Sequence, residues 1–469
     1  MTDMDFSSYL SPFTWRYGSS EMRYIFSENH KYELWRKIWV ALAEVQSEFH
    51  LVSKEELLDL KKNEKNIHID RILEFEKDTK HDVMAAIREF AEKARIGGGK
   101  IHLGATSMDI VDNADAIRIN EGLEVIEKKL INVLKLFSNL IRKYSSLACL
   151  GYTHLQPAEP TTVGYRLSFY AQDVWYALDQ IKFAQITIKA KGMRGAVGTS
   201  ASYQKLLKNK KIDVFEFEKK VMNLLGLESV LIANQVYPRQ FDFITMNALV
   251  STSSSLAKFA GDLRLLQSPS IGEWSEPFSK NQVGSSAMPF KKNPINSENI
   301  CSLARYIASL PTVAIENNTH SYLERTLDDS ANKRIIIAEV FLATDQILMT
   351  AEKILSGLII NKKRIAYNLN LYGSFAATEA ILMAAVKKGV DRQKMHEILR
   401  GISMYAWKKV QEGKLNPMEQ LLLHDKRVRS LLSKDEIEEA LEVENYIGDA
   451  PKRAILLVQR LRKLFYENK

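Results

Sequence analysis

Residues 282–298 bring two prolines, the adjacent serines Ser285 and Ser286, the adjacent lysines Lys291 and Lys292, and the asparagines Asn293 and Asn296 into one short span. Serine is a poor base unless its alkoxide is stabilised, and a lysine such as Lys291, with loop N–H groups, would supply that stabilisation. The same composition also suits a solvated connector. Thr153-His154-Leu155-Gln156-Pro157 sets an imidazole, which holds and releases a proton near neutral pH, where a long helix must stop. A histidine there serves equally as a hydrogen-bond partner within a loop. Asp78-Thr79-Lys80-His81-Asp82-Val83 and Gly104-Ala105-Thr106-Ser107-Met108-Asp109 offer a second imidazole and two hydroxyls, with helix caps and surface charge as the plainer readings. Arg16, Arg325 and Arg334 carry guanidinium forks that match phosphate geometry, although each alone would also make an ordinary surface ion pair.

The elements that must position these groups are helical. Proline is absent from 13 to 156 and from 312 to 416, which leaves room for several long helices without a breaker. Leu123, Ile126, Leu130, Leu134, Phe137 and Ile141 recur with helical spacing, as do Ile337, Phe341, Leu348, Ala351 and Leu355. Residues 241–266 are rich in Ser, Thr, Ala and Gly, which lets neighbouring helices approach closely and predicts a tightly packed bundle. Strand is expected to be minor, with short hairpins possible around 189–204. Punctuation divides the chain into 1–112, ending near Gly97-Gly98-Gly99, a central zone of long helices over 113–361, and a C-terminal zone over 362–469.

Composition narrows the function classes. Hydrophobic residues at 46% and charged residues at 26% are ordinary globular usage. A net charge of +8 is dispersed among acidic neighbours, so it points to surface lysines or an anionic small substrate rather than to nucleic acid. No uninterrupted apolar run approaches the roughly 20 residues that span a bilayer, and residues 1–9 are acidic and polar, which predicts a cytoplasmic protein. Cys149 and Cys301 are far apart in apolar segments and read as reduced, buried thiols.

The order Gly284-Ser285-Ser286-Ala287-Met288-Pro289-Phe290-Lys291-Lys292-Asn293-Pro294 resembles the signature loop of the fumarase/aspartase superfamily, whose members eliminate fumarate from succinyl compounds. Thr153-His154-Leu155-Gln156-Pro157-Ala158-Glu159-Pro160-Thr161-Thr162 is similar to the general-acid segment of one branch, the adenylosuccinate lyase family. Arg16-Tyr17, Gln235 before Pro238-Arg239, and 324–334 resemble segments that distinguish that branch from relatives whose substrates lack a phosphate. Phe290 and Lys292 depart mildly from a pattern that often has Tyr or His at the first and Arg at the second.

The resemblance implies an all-α, three-domain subunit whose central long helices assemble into a homotetramer with active sites shared between chains. It implies two β-eliminations in purine synthesis, of adenylosuccinate to AMP and of succinylaminoimidazole-carboxamide ribotide to its carboxamide, each releasing fumarate. In this reading Ser285 is the base, His154 the acid, and His81 assists. Arg16, Tyr17, Lys80, Asp82, Thr106, Ser107, Gln235, Ser286, Lys291, Lys292, Asn293, Arg325, Ser330 and Arg334 contact the nucleotide substrate. No metal or organic cofactor, nucleic acid or membrane is implied.

Overall fold

The structure is a computed structural model that describes residues 6–279 and 281–467. It is mostly helical, as the proline-free stretches predict. Five long helices, Ser107–Lys143, Val163–Thr187, Gln240–Gln267, Ile295–Thr319 and Ser330–Ser356, lie between residues 107 and 356. All the residues of both predicted stripes are buried. Pro311 lies inside the Ile295–Thr319 helix rather than at its end.

The chain divides into two compact units, each interleaved in sequence, and each of these five helices contributes to both. One unit comprises Met1–Leu130, Ala177–Ser254 and Ser302–Met349. Its core gathers Trp35, Ile38 and Trp39 of the Glu28–Glu48 helix with Phe90, Tyr203 and Phe217. Trp35 and Trp39 meet edge to face at 6.3 Å between centroids, a geometry aromatic quadrupoles favour. Phe26 stacks on Phe341, and the Cβ that Gly122 lacks would collide with the Phe341 ring, so glycine there lets helix backbone and ring approach.

The other unit comprises Ile131–Tyr176, Ser255–Cys301 and Thr350–Lys469. Phe137, Tyr170 and Phe259 form an aromatic cluster among its helices, and Ile381, Leu399, Met418 and Ile437 belong to a second core. Its Lys362–Lys387 helix is long and apolar enough to cross a membrane by length and composition. That helix packs on the strands Ala148–Thr153 and Gln156–Thr162 and on the Arg392–Gln411 and Lys434–Leu441 helices.

Those two strands form an antiparallel hairpin, whereas 189–204, where short hairpins were possible, forms none. Residues 190–200 instead make a loop with one isolated bridge, Ala190 to Ser229, because Gly192, Gly195 and Gly198 adopt positive φ and break any ladder. The hairpin pairs Thr153 with Gln156, leaving His154 and Leu155 as a two-residue turn with φ of 54° and 59°. Two consecutive positive φ values match the twist of a tight hairpin, and they are costly for residues with side chains.

Candidate active site

Within the first unit, a cavity of about 440 Å³ is lined by His81, Asp82, Thr106, Ser107, Gln235, Arg325, Ser330 and Arg334, all anticipated from sequence. Three helix starts and two loops, those of Gln235 and Arg325, supply them. His81 is the N-cap of the Asp82–Lys93 helix, and its Nδ1 accepts from the Met84 N–H at 3.5 Å. Thr106 and Ser107 open the Ser107–Lys143 helix, whose buried Asp109 accepts from the Thr106 N–H at 3.0 Å. Asp109 also accepts from the Arg194 and Gly195 N–H groups and pairs with buried Lys191, which ties the hydroxyl-bearing turn to the 190–200 loop. Gln235 donates its Nε2–H to the Ala196 carbonyl at 3.1 Å. Ser330 and Arg334 lie on the first turns of the Ser330–Ser356 helix.

The lining also includes Arg239, Asp329, Lys333 and Asp115, which belong to a buried ion-pair network around Arg325. Arg239, 3% exposed, donates from Nε to Asp329 at 2.6 Å and from Nη1 to Asp112 at 3.0 Å. Asp329 also accepts from Arg325 at 2.7 Å, so one carboxylate orients two guanidinium groups. Lys333 reaches Asp115 at 2.8 Å. Burial raises the Asp115 pKa, yet Lys333 and Arg118 outweigh it and hold the group below the usual range. The available signal was spacing, since Arg325, Asp329 and Lys333 recur every four residues, as do Asp112 and Asp115 every three.

His102 is a residue the sequence reading left without a role. The Trp39 indole donates to its Nδ1 at 3.1 Å, and burial pushes its pKa down to about 4, with His81 acting in the same direction and Asp109 opposing. His102 is therefore neutral at physiological pH.

Arg16 and Tyr17 are in this unit without lining the cavity. Their turn is pinned through the Gly18 N–H to Gln346 at 3.1 Å and the Ser19 N–H to Asp345 at 2.6 Å. Gly18 has φ of 82° with the Leu342 side chain against it, so a larger residue is excluded. The exposed Arg16 guanidinium lies 5.6 Å from the Trp15 ring centroid and 6.0 Å from that of Tyr17. Lys80, the left-handed C-cap of the preceding helix, also stands outside the lining.

The second unit holds His154 and the signature loop. The hairpin carrying His154 is anchored by Arg166, which donates to the Leu150 carbonyl at 2.6 Å, and by Tyr152, whose hydroxyl donates to Glu273 at 3.3 Å. Gly151 marks the register shift between Leu150 and Tyr152, where a Cβ would meet the Glu159 carbonyl at 2.5 Å. His154 is exposed at the tip.

The loop ends sooner than expected, because helix begins at Ile295 and not after 298. Buried Glu276 explains the early start. Its carboxylate accepts from the Asn296 and Ser297 N–H groups at 3.2 and 2.6 Å, satisfying otherwise orphaned first-turn donors. The neck of the loop is fastened by Asn293, which donates to the Gly284 carbonyl at 2.8 Å, and by Gln267, which donates to the Lys292 carbonyl at 2.9 Å. Between these ties, the Ser285 Oγ accepts from the Ala287 and Met288 N–H groups at 3.3 and 3.1 Å. Ser286, Lys291 and Lys292 are exposed, and the Lys292 ammonium lies 5.5 Å from the centroid of the Phe278 ring. Two N–H donors aimed at one serine oxygen can stabilise charge that develops there. Among the described residues, no group of three or more His, Cys, Asp or Glu side chains is placed to hold a metal ion.

The lyase family matches residues 18–308, and the family described as adenylosuccinate lyase C-terminus matches 374–454. The chain is 36% identical to adenylosuccinate lyase of Saccharomyces cerevisiae, covering 97% of this chain and 95% of that one. It is 37% identical to adenylosuccinate lyase of Methanocaldococcus jannaschii, covering 97% and 96%. Among solved structures, fumarate lyase from Mesorhizobium sp. BNC1 superposes with a TM-score of 0.84 at 22% identity, over 96% of this chain and 99% of that one. The 3-carboxy-cis,cis-muconate lactonizing enzyme from Pseudomonas putida gives 0.83 at 20%, over 96% and 99%, and these two likenesses speak for the fold. With more than a third of its residues identical to such relatives over nearly the whole length of both chains, this lyase belongs to the adenylosuccinate lyase family.

Proposed function

We propose that the protein eliminates fumarate from adenylosuccinate, giving AMP, and from succinylaminoimidazole-carboxamide ribotide, giving the carboxamide, in cytoplasmic purine synthesis. The observation that carries this reading is the cavity itself. It sets Arg325, Ser330 and Arg334 beside Thr106, Ser107 and Gln235, a set with cations for a phosphate, hydroxyls for a carboxylate and an amide for a base. Removing a Cβ proton beside a carboxylate creates an aci-carboxylate that needs donors and a base, and Ser285 with its two N–H donors has the form of that base. His154 protonates the leaving nitrogen, and His81 assists or holds substrate. Lys291 stabilises charge, Ser286, Lys292 and Asn293 complete the loop wall, and Lys80, Arg16 and Tyr17 complete the nucleotide site.

The same proposal includes a homotetramer with shared sites and the three-part division at 112 and 361. Phe169, Tyr176 and Phe183 support assembly, because they recur at seven-residue intervals along the Val163–Thr187 helix and are each more than half exposed. A heptad of exposed rings is a surface that another helix covers.

The test is direct. Purified protein mixed with adenylosuccinate is expected to release fumarate, followed by its absorbance, and to do so from a species that light scattering identifies as a tetramer. Turnover of argininosuccinate instead would assign a substrate without phosphate, and silence toward both purine substrates would leave a non-catalytic scaffold. For the acid, His154→Gln is expected to lower kcat by about 10²-fold or more, as removal of a general acid does. Unchanged turnover would remove His154 from the mechanism.

A further inference from the structure

Every lysine and arginine that lines the cavity is paired with a carboxylate of the chain itself; two of these pairs, Lys31 with Glu28 and Arg334 with Asp82, lie outside the buried network, and only the second joins residues far apart in sequence. Arg239, Arg325 and Lys333 are held in the buried network of Asp112, Asp115 and Asp329. Arg334 instead pairs with Asp82 at 2.7 Å, its side chain is 60% exposed, and the two residues are 252 positions apart in sequence. Glu28 and Glu76 add to the negative field around it. Asp82 is meanwhile secured from its own side. It is the first residue of the Asp82–Lys93 helix, where the positive end of the helix dipole favours a carboxylate, and its Oδ1 accepts from the Val83 N–H at 2.7 Å. Releasing Arg334 therefore leaves Asp82 in a position that still suits its charge.

The geometry points to Asp82 as a specificity-determining residue that occupies Arg334 as a stand-in anion and yields it only to a ligand phosphate. This rests on the assignment of Arg334 to the substrate phosphate. The selectivity follows from the exchange. A ligand carboxylate replaces Asp82 like for like and gains little, since it must also be desolvated and ordered. A phosphate carries more charge and three terminal oxygens, and Arg334, Ser330 and Arg325 stand on the same cavity wall to receive them. Asp82 thus imposes a penalty that a phosphorylated ligand overcomes and an unphosphorylated one does not.

The consequence is opposite to that of an ordinary substrate contact, because removing the charge of Asp82 should tighten binding. Full-length parent, Asp82→Asn and Arg334→Gln proteins are titrated calorimetrically at low salt with AMP and with adenosine. Asp82→Asn is expected to bind AMP about fivefold more tightly, the scale of one exposed ion pair, and to bind adenosine as the parent does. Asp82→Ser, which keeps a residue suited to a helix start, is expected to move AMP the same way. Equal or weaker AMP binding by Asp82→Asn, or an equal gain for adenosine, would overturn the gate. If Arg334→Gln binds AMP as tightly as the parent, the phosphate lies elsewhere and the assignment of Arg334 fails first.

Discussion

Ser285→Ala is expected to fold, to bind substrate, and to lose turnover by on the order of 10³-fold or more. The size follows from what the oxygen does. In the resting loop Ser285 Oγ accepts two backbone N–H groups, Ala287 at 3.3 Å and Met288 at 3.1 Å, which are long bonds to a neutral hydroxyl. As the proton leaves, the same donors face an alkoxide, and bonds to a charged acceptor shorten and strengthen. Their stabilisation thus grows between ground and transition state, which is the condition for raising kcat. Alanine removes both the base and the acceptor. The fold has little at stake, because Ala287 and Met288 are exposed and water replaces the lost acceptor. The melting temperature should therefore stay within about 2 °C of the parent. The decisive comparison is kcat against the dissociation constant of a bound product. A variant that keeps a tenth of parental turnover would show that another group takes the proton.

The legibility of this molecule divides along physical lines. Helices were readable because their cause is local, as in the stripe from Leu123 to Ile141, whose spacing by itself places every member inside. The signature loop was readable because its residue order is distinctive, and one of its neck bonds, Asn293 to Gly284, closes within nine residues. The hairpin bearing His154 was not, since Pro157 and Pro160 lie within its second strand and a left-handed leucine at 155 contradicts residue preference. That conformation is imposed by the pairing of Thr153 with Gln156 and by the anchors at Arg166 and Tyr152. Partners distant in sequence were equally hidden. Resemblance names Arg325 and Arg334 as phosphate ligands, and the four-residue spacing points to Asp329 as the partner of the first, but nothing local reveals that Asp82 holds the second.

Asp329→Ala is expected to produce the largest loss of stability, roughly 3–5 kcal/mol, the usual cost of breaking a buried ion pair from one side. Asp329 is 3% exposed and accepts from Arg239 at 2.6 Å and Arg325 at 2.7 Å. Without it Arg239 retains Asp112 at 3.0 Å, while Arg325 loses the carboxylate that orients it. The Arg325 guanidinium is then left without its carboxylate beside a cavity proposed to receive phosphate, so the variant carries surplus positive charge there. Added anion should consequently rescue it. Millimolar inorganic phosphate is expected to raise the melting temperature of Asp329→Ala by more than it raises that of the parent, because a ligand that binds only the folded state stabilises it by mass action. Kinetically, the loss should fall mainly on KM, as Arg325 must be ordered anew by each substrate, with kcat changed less. Asp329→Asn, which keeps volume and one acceptor, should lie between the two proteins in stability. A melting temperature equal to the parent's would show that the pairs to Arg239 and Arg325 contribute little. A destabilised variant on which phosphate acts no more than on the parent would show that these arginines support the fold without facing the anion.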